Sequence, residues 1–167
     1  MPLSPVEPLS GHHQLDPFDC GKHPLTFWLK KWALVSHAWG GSRVFVTCEA
    51  REIVRGYYAI ATAEIGFANA PDDVRSKLST AYPISALKLA RLAVDLGYQH
   101  QGVGASLLSD ALRRALAVAD NVGVKAVVVD ALDEAAWNWY RGFGFRPLQE
   151  GDPFHLYLLV SEIRASI

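Results

Sequence analysis

Two glycines one residue apart stand between an apolar stretch and an amphipathic stretch, a pattern that suits the binding of a phosphate group. They are Gly102 and Gly104, and the apolar stretch before them contains Leu92–Val94. A helix that begins at such a loop leaves its first backbone N–H groups without partners inside the helix, and glycine lets an anion approach the backbone closely. The sequence therefore predicts a strand, a loop and a helix that bind a phosphate-bearing cofactor.

Two common phosphate-binding motifs do not fit this loop. The dinucleotide motif needs Gly-x-Gly-x-x-Gly, and Leu107 stands where its third glycine would be. The Walker motif needs a Gly-Lys-Ser or Gly-Lys-Thr sequence, which does not follow here. Two alternatives remain, namely an ordinary strand-to-helix connection that contains glycine and a loop for another phosphate-bearing cofactor.

A second strand and a second helix are predicted downstream. The run Lys125–Asp130 is mostly β-branched, which favours a buried strand. Asp133 can cap the short helix that follows, and Gly142 ends that helix just after Tyr140. Upstream, we expect a helix over Pro24–Val35 with a buried apolar face, strands over 43–48, 53–62 and 87–94, and a last strand over 155–160.

The order of these features resembles the GNAT N-acetyltransferases. Gln99-x-x-Gly102-x-Gly104 is similar to their acetyl-CoA loop, and the Tyr140 helix followed by Gly144-Phe145 is similar to the second half of their core. The resemblance implies an α/β (α+β) fold, a single GNAT acyl-CoA N-acyltransferase domain over residues 1–167 with a mixed, mostly antiparallel sheet, a central splay and flanking helices. It implies acetyl-CoA as co-substrate, bound largely through main-chain groups of Leu92, Ala93, Val94, Gln99, Gly102, Val103, Gly104 and Ala105.

The resemblance also implies a catalytic role for Tyr140, at the position where the family carries a tyrosine near the coenzyme sulfur. A phenol with a pKa near ~10 stays protonated at neutral pH and can donate its proton to a departing thiolate. The alternative is a tyrosine that only packs in the core. A general base is less clear, because Glu64, Asp95 and Asp130 all lie near strand ends, where a carboxylate is more often a cap or a surface charge.

Composition bounds the remaining possibilities. The chain has 167 residues, half of them hydrophobic, and a net charge of -1, which argues against binding long nucleic acid through charge alone. No run is long and apolar enough for a membrane helix and no signal peptide is evident, so we expect a soluble, cytoplasmic protein. The histidines do not cluster at metal spacing, and Cys20 and Cys48 predict reduced thiols, so no metal is expected.

A narrower resemblance covers nearly the whole chain. The segments Phe18–Gly21, Gly56–Ala61, Leu89–Asp95 and Trp139–Phe145, among others, are similar to the GNAT toxins of bacterial type II toxin-antitoxin systems. That likeness implies acetylation of the free amine of aminoacyl-tRNA, which blocks translation, a homodimer, and neutralisation by a ribbon-helix-helix antitoxin. It makes Lys30, Lys31 and Arg91 candidates for tRNA contacts. An α-amino group next to an ester has a lowered pKa, so such an acceptor could react without a strong base.

Some residues depart from the toxin pattern. Gln99 and Gln101 stand where many members have basic residues, and the slightly acidic chain is unusual for an enzyme that acts on tRNA. Two alternatives are therefore retained. One is a GNAT enzyme that acetylates a small amine or a protein amine, and the other is a GNAT-like module that binds acetyl-CoA without turnover.

Overall fold

The sheet is mixed, and the part of it that the structure describes contains seven strands. A computed structural model describes residues 2–79, 82–149 and 152–166. The strands are β1 (Glu7–Pro8), β2 (Arg43–Glu49), β3 (Ile53–Ile65), β4 (Ile84–Val94), β5 (Ala126–Asp130), β6 (Arg146–Gln149) and β7 (Asp152–Leu159), in the sheet order β1-β2-β3-β4-β5-β7-β6. β4 and β5 are parallel, whereas β1–β2, β2–β3, β5–β7 and β6–β7 are antiparallel. The fold class that the sequence predicted is therefore confirmed.

Six α-helices accompany the sheet in the described ranges. They are α1 (His23–Lys31), α2 (Ala33–Trp39), α3 (Asp72–Arg75), α4 (Val103–Ala119), α5 (Glu134–Arg141) and α6 (Val160–Ala165). None of the helices in the described part of the chain is both long enough and apolar enough to cross a membrane. Asp133 caps α5 as predicted, since its side chain accepts a 2.9 Å hydrogen bond from the backbone N–H of Ala136.

The prediction of a single helix over residues 24–35 was wrong, because the chain forms two helices that meet at Trp32. Trp32 has φ -114° and ψ -21°, which ends α1 and begins α2. Leu29 and Ala33, which now belong to different helices, both have zero exposure in the core. The side chain of Trp32 is instead 48% exposed, so the predicted apolar face is buried only at its earlier positions.

The chain divides into two compact units, the first of which comprises Met1–Ala61 and Ala90–Ala111. Its core includes Phe18, Val46 and Tyr57, all with zero exposure. The hydroxyl group of Tyr57 donates a 2.7 Å hydrogen bond to the carbonyl of Leu25, which attaches α1 to the sheet. Ala93 of β4 also belongs to this core.

The first turn of α4 packs closely on β3 because Gly56 has no side chain. A Cβ atom at Gly56 would lie 3.0 Å from Cδ1 of Leu107, 3.1 Å from Cγ2 of Thr47 and 3.3 Å from Cγ1 of Val103. A second attachment comes from Tyr58, whose hydroxyl group donates a 2.7 Å hydrogen bond to Asp110 of α4. These contacts fix where the helix begins relative to β3.

The second unit comprises Thr62–Leu89 and Leu112–Ile167. Its core contains Val74 of α3, Ala86 of β4, Val128 of β5 and Tyr157 of β7. β6 and α6 were not predicted, because neither segment carries a strong periodic pattern. The described pairs of the β4–β5 ladder end at Leu89 and Val129, although β4 itself continues to Val94.

Candidate active site

The loop after β4 is held at its start by Asp95. One carboxylate oxygen accepts a 3.0 Å hydrogen bond from the backbone N–H of Gly97, and the other accepts one of 3.0 Å from the N–H of Asp19. A 3-10 turn over Leu96–Tyr98 follows. Asp95 is buried and also pairs with Arg55 at 3.2 Å. Because its oxygens are engaged in this way, Asp95 is a structural cap rather than a general base.

Gln99, the first residue of the glycine motif, turns its side-chain amide into the protein. Nε2 donates hydrogen bonds to the carbonyl of Val94, at 2.8 Å, and to the carbonyl of Cys20, at 3.0 Å. Both N–H groups of the amide are therefore used within the first unit. The side chain of Gln99 shapes the loop, and only its backbone remains for contact with a phosphate group.

The glycine loop leads into a helix start that can accept an anion. Gly102 has φ +84°, in the left-handed region, and no atom lies within 4 Å of where its Cβ would be. The N–H of Ser106 donates to the carbonyl of Gly102 at 3.1 Å. The three preceding amides, those of Val103, Gly104 and Ala105, have no acceptor within the helix, as at any helix N-terminus. A diphosphate fits this arrangement of free amides and an open glycine.

The strand residues predicted to bind the cofactor have two environments. The side chains of Leu92 and Val94 are half-buried, whereas Ala93 is buried in the core of the first unit. The alternation follows from the two faces of a strand. Any contact that Ala93 makes with a cofactor is therefore through its backbone.

A hydrogen-bonded network that sequence reasoning missed supports this loop. Glu49 accepts a 2.6 Å hydrogen bond from the hydroxyl group of Tyr98 and pairs with the guanidinium of Arg55. These two partners lower the pKa of the Glu49 carboxyl group, and the same hydrogen bond raises the pKa of Tyr98. The guanidinium of Arg55 also lies 5.2 Å from the centre of the Tyr98 ring. The residues come from three separate segments, so no local pattern reveals the network.

A cleft of about 530 Å³ lies beside the start of α4 in the first unit. Its lining includes Tyr98, Gln101, Gly102, Val103 and Ser106, together with residues of the N-terminal segment and β2. No lysine or arginine side chain is among the described residues that line it. Backbone amides, hydroxyl groups and the side-chain amide of Gln101 are thus the groups available to an anion in this cleft.

The predicted substrate-binding residues lie on or against α1. The guanidinium of Arg91, on β4, stacks 4.3 Å from the centre of the Trp28 ring. Lys30 and Lys31 are both exposed in the last turn of the helix, and Nζ of Lys31 is 5.7 Å from the centre of the Trp32 ring. The structure thus brings Arg91 to the helix that carries the two lysines.

Tyr140 lies in the second unit, near the end of α5. The side chain is 7% exposed and packs edge-to-face against Trp139 and Phe145, with ring centres 5.0 and 5.5 Å away. Burial raises the pKa of Tyr140 above the ordinary value for tyrosine. The hydroxyl group therefore stays protonated throughout the physiological pH range.

The other carboxylates at strand ends differ in their surroundings. Glu64 is exposed near the end of β3. Asp130, at the end of β5, lies 2.7 Å from Nζ of Lys88 and pairs with Nδ1 of His155. Both oxygens of Asp130 are engaged, as are those of Asp95. The partners of Asp130 are two side chains, whereas Asp95 also accepts hydrogen bonds from two backbone N–H groups.

One cluster of possible metal ligands occurs among the described residues, formed by Glu7, His12 and His13, whose ligand atoms lie within 4.8 Å of one another. The backbone N–H of Ser10 donates to Nδ1 of His13 at 2.9 Å, so Nδ1 carries the lone pair. Nε2 of His13 then carries the proton that it shares with Glu7 at 2.7 Å. A nitrogen in this state donates a hydrogen bond and does not bind a metal ion.

Cys20 and Cys48 are both unpaired thiols, as predicted.

Comparisons with known proteins agree with the glycine loop and the fold. A family model described as an acetyltransferase (GNAT) domain matches residues 40–147. The chain is 41% identical over 150 residues to a tRNA-acetylating toxin of Mycobacterium tuberculosis (strain ATCC 25618 / H37Rv), with coverage of 90% of this chain and 88% of the relative.

Two solved structures of AtaT are similar over almost the whole chain. AtaT complexed with acetyl-methionyl-tRNAfMet has a TM-score of 0.90 and 27% identity, covering 99% of both chains. A tyrosine-to-phenylalanine mutant of the AtaT toxin, bound to the C-terminus of the antitoxin AtaR and acetyl-CoA, has a TM-score of 0.84 and 27% identity, covering 98% of this chain and 97% of that one. On this evidence the chain belongs to the GNAT acetyltransferase family.

Proposed function

We propose that this protein transfers the acetyl group of acetyl-CoA to the free amine of aminoacyl-tRNA and thereby blocks translation, as the toxin of a toxin-antitoxin pair. The observation that carries the proposal is the likeness of nearly the whole chain to a tRNA-acetylating toxin. The likeness to AtaT in complex with an acetylated aminoacyl-tRNA supports the same acceptor. The glycine loop and the start of α4 supply the chemistry that an acetyl-CoA diphosphate needs.

Acetyl-CoA is bound mainly by backbone groups in this proposal. The amides of Val103, Gly104 and Ala105 hold the diphosphate at the open glycine Gly102, with the backbone of Gln99 at the start of the loop. Leu92, Ala93 and Val94 present strand backbone to the pantetheine arm, beyond the last described β4–β5 pair. No metal takes part, because acetyl transfer to an amine requires only proton transfers and a stabilised oxyanion.

Tyr140 acts as the general acid that protonates the departing coenzyme thiolate. Reference pKa values near ~10 for a phenol and ~8.5 for a thiol make this transfer alone unfavourable by about 2 kcal/mol. Burial of Tyr140 adds to that cost, since it raises the phenol pKa further. The proton therefore moves as the carbon–sulfur bond breaks, and formation of the amide from the thioester drives the step.

Three cations contact the tRNA backbone in this proposal. Lys30 and Lys31 are exposed at the end of α1, and Arg91 is stacked beside them on Trp28. A local group of positive charges can bind phosphates although the chain as a whole carries a net charge of -1. Lysine and arginine contacts of this kind position the substrate without reading its sequence.

The partners and the site of action follow from the same proposal. The protein acts in the cytoplasm, where charged tRNA is present, as a homodimer, and a ribbon-helix-helix antitoxin neutralises it. Its residues work as one acetyltransferase domain, since the family model spans segments of both compact units. Light scattering of the purified protein tests the dimer, and co-purification with the product of a neighbouring gene tests the antitoxin.

The decisive experiment is transfer of labelled acetyl from acetyl-CoA to charged tRNA. We expect label on charged tRNA and none on deacylated tRNA, which lacks the amine. Tyr140→Phe keeps the ring packing but removes the acid, so its rate should fall about 10²-fold or more. Label on small amines or protein amines alone would favour the broader GNAT alternative, and acetyl-CoA binding without any transfer would favour the non-catalytic module.

A further inference from the structure

Three polar side chains from three strands of the second unit meet on one face of the sheet. Asp130 of β5 accepts a hydrogen bond from Nδ1 of His155 on β7, and its other oxygen lies 2.7 Å from Nζ of Lys88 on β4. Asp130 and His155 are direct partners in the β5–β7 register. The carboxylate is therefore held by a cation on one side and a histidine ring on the other.

This arrangement fixes the tautomer of His155. Because Nδ1 donates its proton to Asp130, the neutral ring carries its lone pair on Nε2. No partner of Nε2 occurs among the described residues, and the side chain is 29% exposed. The lone pair is thus accessible to a substrate. A carboxylate that orients a histidine in this way prepares the ring to accept a proton.

The ionisation of Asp130 suits that role. Burial acts to raise the pKa of its carboxyl group, but the hydrogen bonds from Lys88 and His155 outweigh this effect and leave the pKa below the usual value. Asp130 therefore remains negatively charged at neutral pH. A positive charge that develops on His155 is stabilised by this neighbour.

The position of Asp130 and His155 in the sheet also distinguishes them from an ordinary surface ion pair. Asp130 directly follows Val129, the last residue of β5 that is paired with β4. Ala86 and Val128, which lie two residues before Lys88 and Asp130 on the same face, belong to the apolar core of the unit. The apolar face thus ends in three polar groups at the point where the paired ladder ends.

We propose that His155, oriented by Asp130 and Lys88, is the general base that removes the proton from the acceptor amine. This inference rests on the proposed function. As the nitrogen–carbon bond forms, the proton on nitrogen passes to Nε2 of His155, and as the carbon–sulfur bond breaks, the sulfur takes the proton of Tyr140. His155 then releases its proton to solvent and Tyr140 regains one, so that one proton has moved from nitrogen to sulfur.

A base is useful even for an amine that is neutral before attack. The nitrogen becomes positively charged as it attacks the carbonyl carbon, and it must lose a proton before a stable amide forms. Other charged groups near this face are Arg146 with its partners Asp73 and Glu162, next to β7. These groups are ion-paired with one another, whereas Nε2 of His155 has no partner among the described residues.

Acetyl transfer by His155→Gln tests the role directly. We expect kcat/KM for charged tRNA to fall about 10²-fold to 10⁴-fold, with unchanged binding of acetyl-CoA. With a simple peptide amine, an acceptor that is stable in alkali, the loss should shrink as the pH is raised towards 9, because solvent can then remove the proton. His12→Gln is the matched control, since His12 is an exposed histidine 2.9 Å from the Glu52 carboxylate. A rate for His155→Gln within twofold of wild type would overturn the inference.

A small acceptor separates this inference from the proposed function. An amino acid methyl ester presents the same amine without the tRNA, and the His155→Gln defect should appear with it as well. If the wild-type enzyme acetylates the ester but not charged tRNA, that result contradicts the tRNA proposal. The rates on the ester then still measure the role of His155. Equal rates of wild type and His155→Gln on both acceptors would overturn the general base alone.

Nitrogen NMR of ¹⁵N-histidine-labelled protein gives a readout that does not depend on any acceptor. The signal of His155, assigned by its loss in His155→Gln, should show the tautomer with the proton on Nδ1. Asp130→Asn should increase the population with the proton on Nε2 and also reduce the rate. A wild-type signal from the Nε2-protonated tautomer would contradict the inference.

Discussion

The side-chain amide of Gln99 lies 2.8 Å from the carbonyl oxygen of Val94, so the first residue of the glycine motif is bonded back to the end of the strand before it. The same Nε2 is 3.0 Å from the carbonyl oxygen of Cys20, ahead of α1. The motif glutamine therefore joins the strand, the loop and the segment before α1. In the proposed function, these bonds hold the loop in the form that exposes its amides.

Removal of this amide should weaken the binding of acetyl-CoA. Gln99→Ala leaves two part-buried carbonyl groups without their donor, which costs about 1–3 kcal/mol. If the substitution destabilises the acetyl-CoA-bound loop by about 1.4 kcal/mol more than the free loop, the affinity for acetyl-CoA drops roughly tenfold. Calorimetric titration with acetyl-CoA measures the change. Asn121→Ala is the matched control, because the amide of Asn121 makes an exposed hydrogen bond of 3.0 Å and does not line the cleft, so this variant should bind within twofold of wild type.

The left-handed backbone of Gly102 should make that position intolerant of a side chain. Gly102→Ala places a Cβ at φ +84°, which costs about 1–2 kcal/mol and should lower the Tm by about 2–8 °C. Acetyl-CoA should bind more weakly, because the methyl group occupies the open space beside the helix amides. Gly123→Ala is the control, since that glycine also has open space around it but a φ outside the left-handed region. A Tm of Gly102→Ala equal to that of the control would show that the loop adopts another conformation.

Burial of Tyr140 predicts a pH dependence of stability on the alkaline side. Its pKa is raised in the folded state, so the protonated phenol is favoured by folding. This contribution is fully present below the unfolded pKa of about 10 and is lost as the pH rises above it. The urea midpoint of wild type should therefore fall between pH 9 and 11 more steeply than that of Tyr140→Phe. Parallel curves for the two proteins would place the Tyr140 hydroxyl in a solvated environment.

The raised pKa also predicts the pH profile of the reaction. Because Tyr140 stays protonated well above neutral pH, acetyl transfer should show no loss from ionisation of the acid up to at least pH 9. Rates measured on an acceptor that is stable at this pH, such as a simple peptide amine, would check it. A decline near pH 8 that disappears in Tyr140→Phe would contradict the prediction.

The lysines of α1 should control the salt dependence of tRNA binding. Lys30→Gln combined with Lys31→Gln should weaken binding for all charged tRNAs alike, and should reduce the slope of log K against log salt by about 1 for each phosphate that is no longer neutralised. Filter binding between 50 and 200 mM salt measures the slope. Lys77→Gln, an exposed lysine of the second unit, is the control. An unchanged slope in the double variant would place the tRNA elsewhere on the protein.

Local patterns in the sequence determined the order of the elements and most of their bounds. The glycine loop after an apolar strand, the helix that follows the loop and the Asp133 cap of α5 were all predicted correctly. Each depends on residues within about one or two turns of one another, and periodicity and capping act over that range. The same patterns, read in order, were sufficient to identify the family.

Local patterns failed where the decisive contacts are distant in sequence. The break of the first helix at Trp32 carries no glycine or proline signal. The apolar spacing of this segment suits one continuous helix, and tertiary packing overrides local propensity in such a case.

The roles of the polar side chains were decided only by the tertiary structure. Asp95 and Asp130 are both carboxylates at strand ends in the sequence. Asp95 accepts a hydrogen bond from the backbone of its own loop and pairs with Arg55. Asp130 instead contacts His155, 25 residues away. Strand pairing sets which side chains meet, and a periodic pattern specifies faces but not partners. The sequence by itself thus determined the fold family and the glycine loop between a strand and a helix, and the sheet register decided which carboxylate contacts a histidine.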